Sequence, residues 1–337
     1  MDGSDPGSGF NRRNCGRSLG RRTDNGEGTD AGAVQPDADG EVWQRLETAA
    51  DVADTYLSKT DAADTYQTKE DLSAQIITSV RSNWYATYPD GAEAHNAMWG
   101  GRDITAAFNA GTVSEHIADG TFKDIFPGDY ITKQVTISGT AYNVNWVVAD
   151  CDYWINKGDT ATTAHHVVIV PQAPIFSANM NDTNTTEGGY AGSRMYTETI
   201  PACATGIVNA FGSDHILTFR DLITNTVDNN VASRGYCGWT GASAPWEVWA
   251  SVQCNLMTEH MVTGAPHYSS SGIDDEITTR QMSAFCLSER AINPNRAWYW
   301  LRNVVSSTVF AVVGGGGGAG TFGASLSGGV RPFALLR

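Results

Sequence analysis

An α+β architecture is predicted by three observations. Between residues 81 and 337 the apolar positions switch repeatedly between a period of two and a period near 3.6, so strands and helices are interleaved. Tryptophans recur along the same stretch from Trp84 to Trp300, giving it the mixed, aromatic-rich character of a globular head. Near the end, 307–313 is rich in β-branched and aromatic residues, and the five glycines 314–318 that follow cannot form a strand interior.

In chain order, residues 1–40 hold Gly, Asp, Ser, Asn and Arg with almost no large apolar side chain. Such a segment cannot bury enough surface to offset its ordering entropy. It is expected to be a flexible arm, or an attachment segment that orders on a partner. Over 41–80, Val42, Leu46 and Ala49 sit at helical spacing, and a phrase then repeats with an offset of ten. Ala53-Asp54-Thr55-Tyr56-Leu57-Ser58-Lys59 is followed by Ala63-Asp64-Thr65-Tyr66-Gln67-Thr68-Lys69. Two copies are too few for a solenoid; they read as a fibre-like oligomerisation segment or as a helical linker with a chance repeat. In the head, 81–337, strands are expected over 130–137, 142–149 and 166–170. Helices are expected over 104–110, 197–208, 214–223 and 247–257.

The last stretch, 296–337, differs in kind. Its flanks, Trp298-Tyr299-Trp300-Leu301-Arg302 and Gly329-Val330-Arg331-Pro332-Phe333, mix bulky and charged residues as a packed frame does, whereas 303–330 has no charged residue and no proline. Strands are expected over 307–313, 321–326 and 330–336, with a glycine tip at 314–318. A soft, uncharged surface on a rigid frame suits display of binding residues, and equally a plain terminal sheet with a long loop.

Composition bounds the function. The chain has 337 residues and a formal charge of −15, which argues against a phosphate-binding surface and hence against a nucleic-acid partner. No run of 18 apolar residues occurs, so no membrane insertion is expected, and the opening MDGSDPGSGF lacks the apolar core of a secretory signal. Cys15, Cys151, Cys203, Cys237, Cys254 and Cys286 show no C-x-x-C spacing; they are expected to be mostly buried apolar residues made in a reducing cytoplasm.

The motifs also carry a resemblance. Asp119-Gly120-Thr121-Phe122, Pro127-Gly128-Asp129-Tyr130-Ile131, His165-His166-Val167-Val168-Ile169-Val170-Pro171, Met180-Asn181-Asp182-Thr183-Asn184 and Gly188-Gly189-Tyr190-Ala191-Gly192-Ser193 precede the W-Y-W-L-R and G-V-R-P of the last stretch. Together, over roughly 99–337, they resemble phage and prophage proteins related to the formylglycine-generating-enzyme type of C-type-lectin-like fold. The ten-residue phrase likewise resembles the repeats of phage tail-fibre shafts, usually three chains wound together. The resemblance implies a lectin-like head and a homotrimer attached through its N-terminal part to other virion tail proteins. It further implies a protein made in the bacterial cytoplasm, carried on the virion and bound to a host-surface protein or glycan. The implied ligand surface is 303–328, with Ser307, Thr308, Phe310, Thr321, Phe322, Ser325 and Leu326 facing the ligand. On a strand, Thr308 and Phe310 would share one face and Ser307 and Val309 the other, so not all can point outward. Some relatives have this segment diversified by a retroelement that mutates adenines, largely at Asn codons; Gly, Ser, Val, Thr, Ala, Leu and Phe are all reachable that way. The alternatives are a structural virion protein, such as a head fibre or decoration, and a glycan-cleaving domain.

No catalytic group, metal or cofactor is expected. His165 and His166 are adjacent on a strand and point to opposite faces, and His260 and His267 lack helix-pair spacing. The oxygen-rich 179–188 offers ligands for calcium without the EF-hand order, and self-bonded Asn and Thr side chains explain it as well. Glu259, Glu276 and Asp274-Asp275 are available as paired carboxylates, with nothing to single them out. Cys286 is the only cysteine near the end, so the oxidase chemistry of formylglycine-generating enzymes does not carry over.

Overall fold

The computed structural model describes residues 75–76, 79, 87–224, 247–268 and 280–337, all within one unit, Gln75–Arg337. The arm 1–40 and the repeat region lie outside the described residues, as do Trp84, Cys15, Cys237 and Asp274 to Glu276. Of 41–80 only Gln75, Ile76 and Ser79 are described, and all three are helical.

Three short helices open the head: α1 (Ala92–His95), α2 (Thr105–Asn109) and α3 (Thr112–Ala118). They lead into β1 (Tyr130–Ile137) and β2 (Thr140–Cys151), paired antiparallel with Tyr130 opposite Val147 and Ile137 opposite Thr140. The hinge between them is Ser138-Gly139, both at positive φ, which fits a two-residue hairpin turn. Next come β3 (Val167–Pro171), β4 (Phe176–Ala178) and a π-helical turn, Met195–Thr199, that runs into the long α4 (Ile200–Phe211). β5 (Phe219–Thr224) pairs antiparallel with β6 (Glu247–Val252) in a separate two-stranded sheet. β7 (Cys254–Leu256), α5 (Glu259–Thr263), α6 (Ser283–Leu287) and α7 (Glu289–Ile292) lead to the last stretch. That stretch holds β8 (Tyr299–Val304), β9 (Val309–Val313), β10 (Ala319–Gly323), β11 (Gly328–Val330) and β12 (Pro332–Leu336).

The first large sheet has the order β1-β2-β3-β12-β7 and the second β10-β9-β8-β11-β4. Both have apolar side chains on both faces. Val167 and Ile169 of β3 join one hydrophobic cluster and Val168 and Val170 the other, which is why this strand reads as an unbroken apolar run. Trp300 and Val304 of β8 likewise face the first cluster while Tyr299 and Leu301 face the second. α4 lies against β1 so closely that a Cβ on Gly206 would sit 2.7 Å from the Thr136 carbonyl oxygen.

Helices and strands are both present, as an α+β chain requires, but three local expectations are corrected. The span 214–223 is not a helix; it enters β5 at Phe219. The span 247–257 is not a helix either. Val248 to Val252 pairs residue for residue with β5, and Cys254 to Leu256 pairs with β12. In both places partner strands distant in sequence override a local helical spacing. Finally, 330–336 is not one strand. It breaks at Arg331, with β11 on the second sheet and β12 on the first.

Candidate binding surface

β8 to β10 form the candidate surface. Val309 pairs with Gly323 and Val313 with Ala319, and β10 is the edge of its sheet. Phe310 and Phe322 are directly opposed and so share one side. Their fates differ by position. Phe310 lies between β8 and β10 and is 0 % exposed, whereas Phe322, with no strand beyond it, is 38 % exposed. The outward placement of Phe310 is therefore corrected: it is core. Thr321 is half-buried on the other side of β10, opposite Ala311, and is not brought together with Phe322.

The strand begins at Val309, so alternation does not extend back to Ser307 and Thr308. Both lie in a tight reversal in which the Val305 N–H donates to the Val309 carbonyl (3.1 Å), and both are exposed. Across the hairpin, Ser325 and Leu326 are exposed in the turn after Gly323, Leu326 at 47 %. The Ala324 N–H donates to the Thr308 carbonyl (2.9 Å) and ties the two turns together. Thus Ser307, Thr308, Phe322, Ser325 and Leu326 cluster at one end of the hairpin. The glycine tip is at the other, about 14 Å away at roughly 3.4 Å per residue. The tip is anchored: the Asn293 side chain donates to the Gly314 carbonyl (2.8 Å), and Gly314 N–H to that of Gly318 (2.8 Å).

Two contributors were not among the expected ligand-facing residues. Trp298 underlies Phe322, with ring centroids 4.6 Å apart, and meets Trp300 edge-on at 5.0 Å. It fits because Gly328 has no side chain; a Cβ there would be 2.1 Å from the indole. The other is Asn184. A Cβ on Gly323 would fall 2.4 Å from its Oδ1, and the Ser325 N–H points to that oxygen at 3.4 Å. The oxygen-rich stretch thus borders the surface. Its Thr186 N–H and hydroxyl donate to the Ser307 (2.9 Å) and Ser306 (2.6 Å) carbonyls. Much of its polarity is spent locally. The Asn181 amide donates to the Thr185 carbonyl (2.7 Å), its oxygen accepts from the Arg194 N–H (2.9 Å), and Asp182 is paired with the Arg194 guanidinium. The signal for Asn184 was its place in that stretch; pairing it with Gly323 needed the third dimension.

The frame below is polar and buried. The Arg331 side chain is 1 % exposed. It donates to the carbonyls of Pro171 (2.8 Å), Ile292 (2.7 Å) and Ala291 (2.9 Å) and to the Tyr299 hydroxyl (3.2 Å). Its guanidinium also lies over the Phe285 and Tyr299 rings. Arg302 of β8 is paired in the interior with Asp221 of β5, whose carboxylate also accepts from Asn255 (2.7 Å).

The remaining polar motifs have structural partners. Asp129 is buried and accepts from the Arg102 backbone and guanidinium and from the Phe126 N–H (3.0 Å); burial raises its pKa, and Arg102 opposes that rise. Asp119 accepts from the Thr121 N–H (2.8 Å) and hydroxyl (2.7 Å), which closes the turn at Gly120. His165 meets Asp152 at 2.7 Å. His166 is buried, with Nδ1 2.9 Å from the Ala164 carbonyl and Nε2 accepting from the Trp154 N–H (3.0 Å). Glu259 is buried and accepts from the His267 and Tyr268 N–H groups (both 3.2 Å), so it is no free carboxylate. Cys151, Cys203 and Cys254 are buried, and burial pushes the Cys203 thiol up to about 12; Cys286 is exposed. Among the described residues no group of three or more His, Cys, Asp or Glu is placed to hold a metal, and no helix is long and apolar enough to cross a membrane. No protein-family model, curated protein or solved structure matches this chain.

Proposed function

We propose that this chain is a receptor-binding adhesion protein of a phage virion. In this reading its C-terminal C-type-lectin-like head binds a host-surface protein or glycan. One observation carries it: an uncharged cluster of exposed residues, Phe322 and Leu326 with Ser307, Thr308 and Ser325, stands on a hairpin end whose support is buried and separately bonded. Large aromatics dominate binding hot spots, and Phe322 is exposed while seated on Trp298. Positions that hold the fold and positions free to vary are thereby different residues, which also suits diversification of 303–328 by a retroelement. The lectin-like assignment is supported by the way the last stretch threads both large sheets, with β12 between β3 and β7 of the first. The reading makes the head a binding module rather than a catalyst.

The test is a Thr308→Ala, Phe322→Ala, Leu326→Ala variant of the full chain. It is expected to melt near the parent and to lose adsorption to a panel of bacterial strains. Phe310→Ala, by contrast, should cost about 3–5 kcal/mol in stability, as large-to-small changes of buried Phe do. Unchanged adsorption by the triple variant would instead favour a structural virion protein. A near-copy of the 296–337 coding region beside a reverse-transcriptase gene would mark the segment as diversified.

A further inference from the structure

A cavity of about 360 Å³ lies away from the hairpin end, between Trp99, Gln172, Phe285, Arg290, Pro294 and Arg331. Its size falls in the lower part of the roughly 300–1,000 Å³ range of small-molecule sites. Trp99 is the first notable feature. It precedes two glycines in sequence, and Gly101 and Gly128, both at positive φ, make room for its ring. A Cβ on Gly128 would lie 2.6 to 2.7 Å from three adjoining ring atoms, so one face of the indole rests flat on that backbone. The side chain nonetheless stays 40 % exposed. A large aromatic ring backed by glycine backbone on one face and open elsewhere is a platform.

The second feature is charge. The chain carries −15 overall, yet among the described residues the charged side chains lining this cavity are Arg290 and Arg331, with no carboxylate. The Arg331 guanidinium is already bonded to three carbonyls and a hydroxyl. Arg290 is exposed and has no hydrogen bond or ion pair with any described residue. Its guanidinium is therefore available to clamp a carboxylate with two parallel N–H donors. The third feature is Gln172. Its Oε1 accepts from the Asn145 amide (3.1 Å), which orients the head group and leaves its own NH₂ group to donate. Gln172 also lines a neighbouring groove with Asn143 and Asn145, an array of uncharged amides suited to hydroxyl groups.

We propose that this cavity binds an acidic saccharide: a pyranose stacks its C–H face on Trp99, its carboxylate pairs with Arg290, and its hydroxyls meet Gln172. A flat ring surface with a negative face receives the polarised C–H bonds of a sugar. One free guanidinium suits a single carboxylate better than a polyphosphate, which normally draws on several cations or a cradle of N–H groups. The site is distinct from the hairpin end, so it would give the head a second contact with an anionic surface polymer.

Calorimetric titration of the full chain with sodium D-glucuronate, D-galacturonate and N-acetylneuraminate, against maltotriose and ATP, tests this. At least one acidic sugar is expected to bind saturably and about tenfold more tightly than maltotriose, with affinity falling as salt is added. Arg290→Gln should weaken that binding about tenfold with an unchanged melting temperature, and Trp99→Ala should abolish it. Should Trp99→Ala fail to fold, Arg290→Gln decides alone. No saturable binding of any acidic sugar up to about 10 mM, equal binding of maltotriose, preference for ATP, or an Arg290→Gln variant that binds as the parent does would each overturn the assignment.

Discussion

Arg331 shows how one residue can join two sheets. It stands where β11 of the second sheet becomes β12 of the first, and its guanidinium bonds carbonyls from the end of β3 and from α7. Removing it takes the charged donor from the Pro171 and Ala291 carbonyls, while the Ile292 carbonyl keeps the Tyr299 hydroxyl, so Arg331→Ala is expected to cost about 2–5 kcal/mol. Ser307→Ala, on the exposed reversal, should stay within about 0.5 kcal/mol. Paired thermal melts check this, and equal small effects would show the network to be dispensable. The mix of bulky and charged residues in Gly329-Val330-Arg331-Pro332-Phe333 made a packed frame legible in the sequence. That the partners of Arg331 are carbonyls and rings was not, because those groups come from segments far away in the chain. His166 gives a second prediction at this scale. With Nδ1–H donating to Ala164 and Nε2 accepting from Trp154, the neutral ring has both nitrogens satisfied, and a second proton would have no acceptor at Nε2. Burial lowers its pKa below the usual 6.5, Asp152 at 3.8 Å opposing, and burial lowers that of His95 too. The unfolded chain thus takes up these protons first, and stability present above pH 6.5 is lost as pH falls below it. The raised pKa of Asp129 has the opposite sign, adding stability as pH falls. Melting temperature should therefore drop between pH 7.5 and 5.5, on the order of 2–4 °C per kcal/mol lost. His166→Asn should titrate less steeply; a flat parent profile would refute the argument.

Among the elements, those closed by local contacts were readable and those closed by distant ones were not. The span 130–137 alternates at Ile131, Val135 and Ile137 and its partner follows within a hairpin, so sequence and structure agree at Tyr130–Ile137. The span 247–257 has spacing compatible with a helix, but its register is set by Phe219–Thr224 and Pro332–Leu336, which no local window contains. The candidate surface divides in the same way. Ser307, Thr308, Phe322, Ser325 and Leu326 are exposed where the hairpin reverses or lies at the sheet edge. Burial of Phe310 follows from its place between β8 and β10, and strand order is a property of the sheet. Helix–sheet contact supplies the prediction at this scale. Gly206 of α4 lets the helix settle onto β1, and a methyl group would meet the Thr136 carbonyl oxygen at 2.7 Å. Alanine favours helices intrinsically by about 1 kcal/mol over glycine. Gly206→Ala should nevertheless destabilise the head by about 1–3 kcal/mol, because overpacking a buried contact outweighs propensity. Denaturant titration decides between the two; a more stable variant would mean that the helix can shift outward at little cost.

At the scale of the whole molecule, the proposed adhesion function requires several heads to act together. A single shallow, uncharged surface of this kind binds weakly, and linking several copies raises avidity without any new contact. In this proposal residues 41–80 supply the means. The ten-residue phrase at 53–59 and 63–69 places its apolar side chains sparsely, so one copy cannot bury them within itself. Ile76, just after it, is helical and 54 % exposed in the single chain. Association through 41–80 would cover such positions, and three chains is the number implied by the resemblance to fibre shafts. Static light scattering on the full chain should return three times the 36.1 kDa chain mass, and a chain beginning at Ser82 should scatter as a monomer. Melting of the full chain should depend on protein concentration, since association stabilises by mass action, whereas that of the shortened chain should not. A monomeric full chain, or an equally stable trimer without residues 1–81, would remove the shaft from the proposal. The head would then have to reach useful affinity through its own surface.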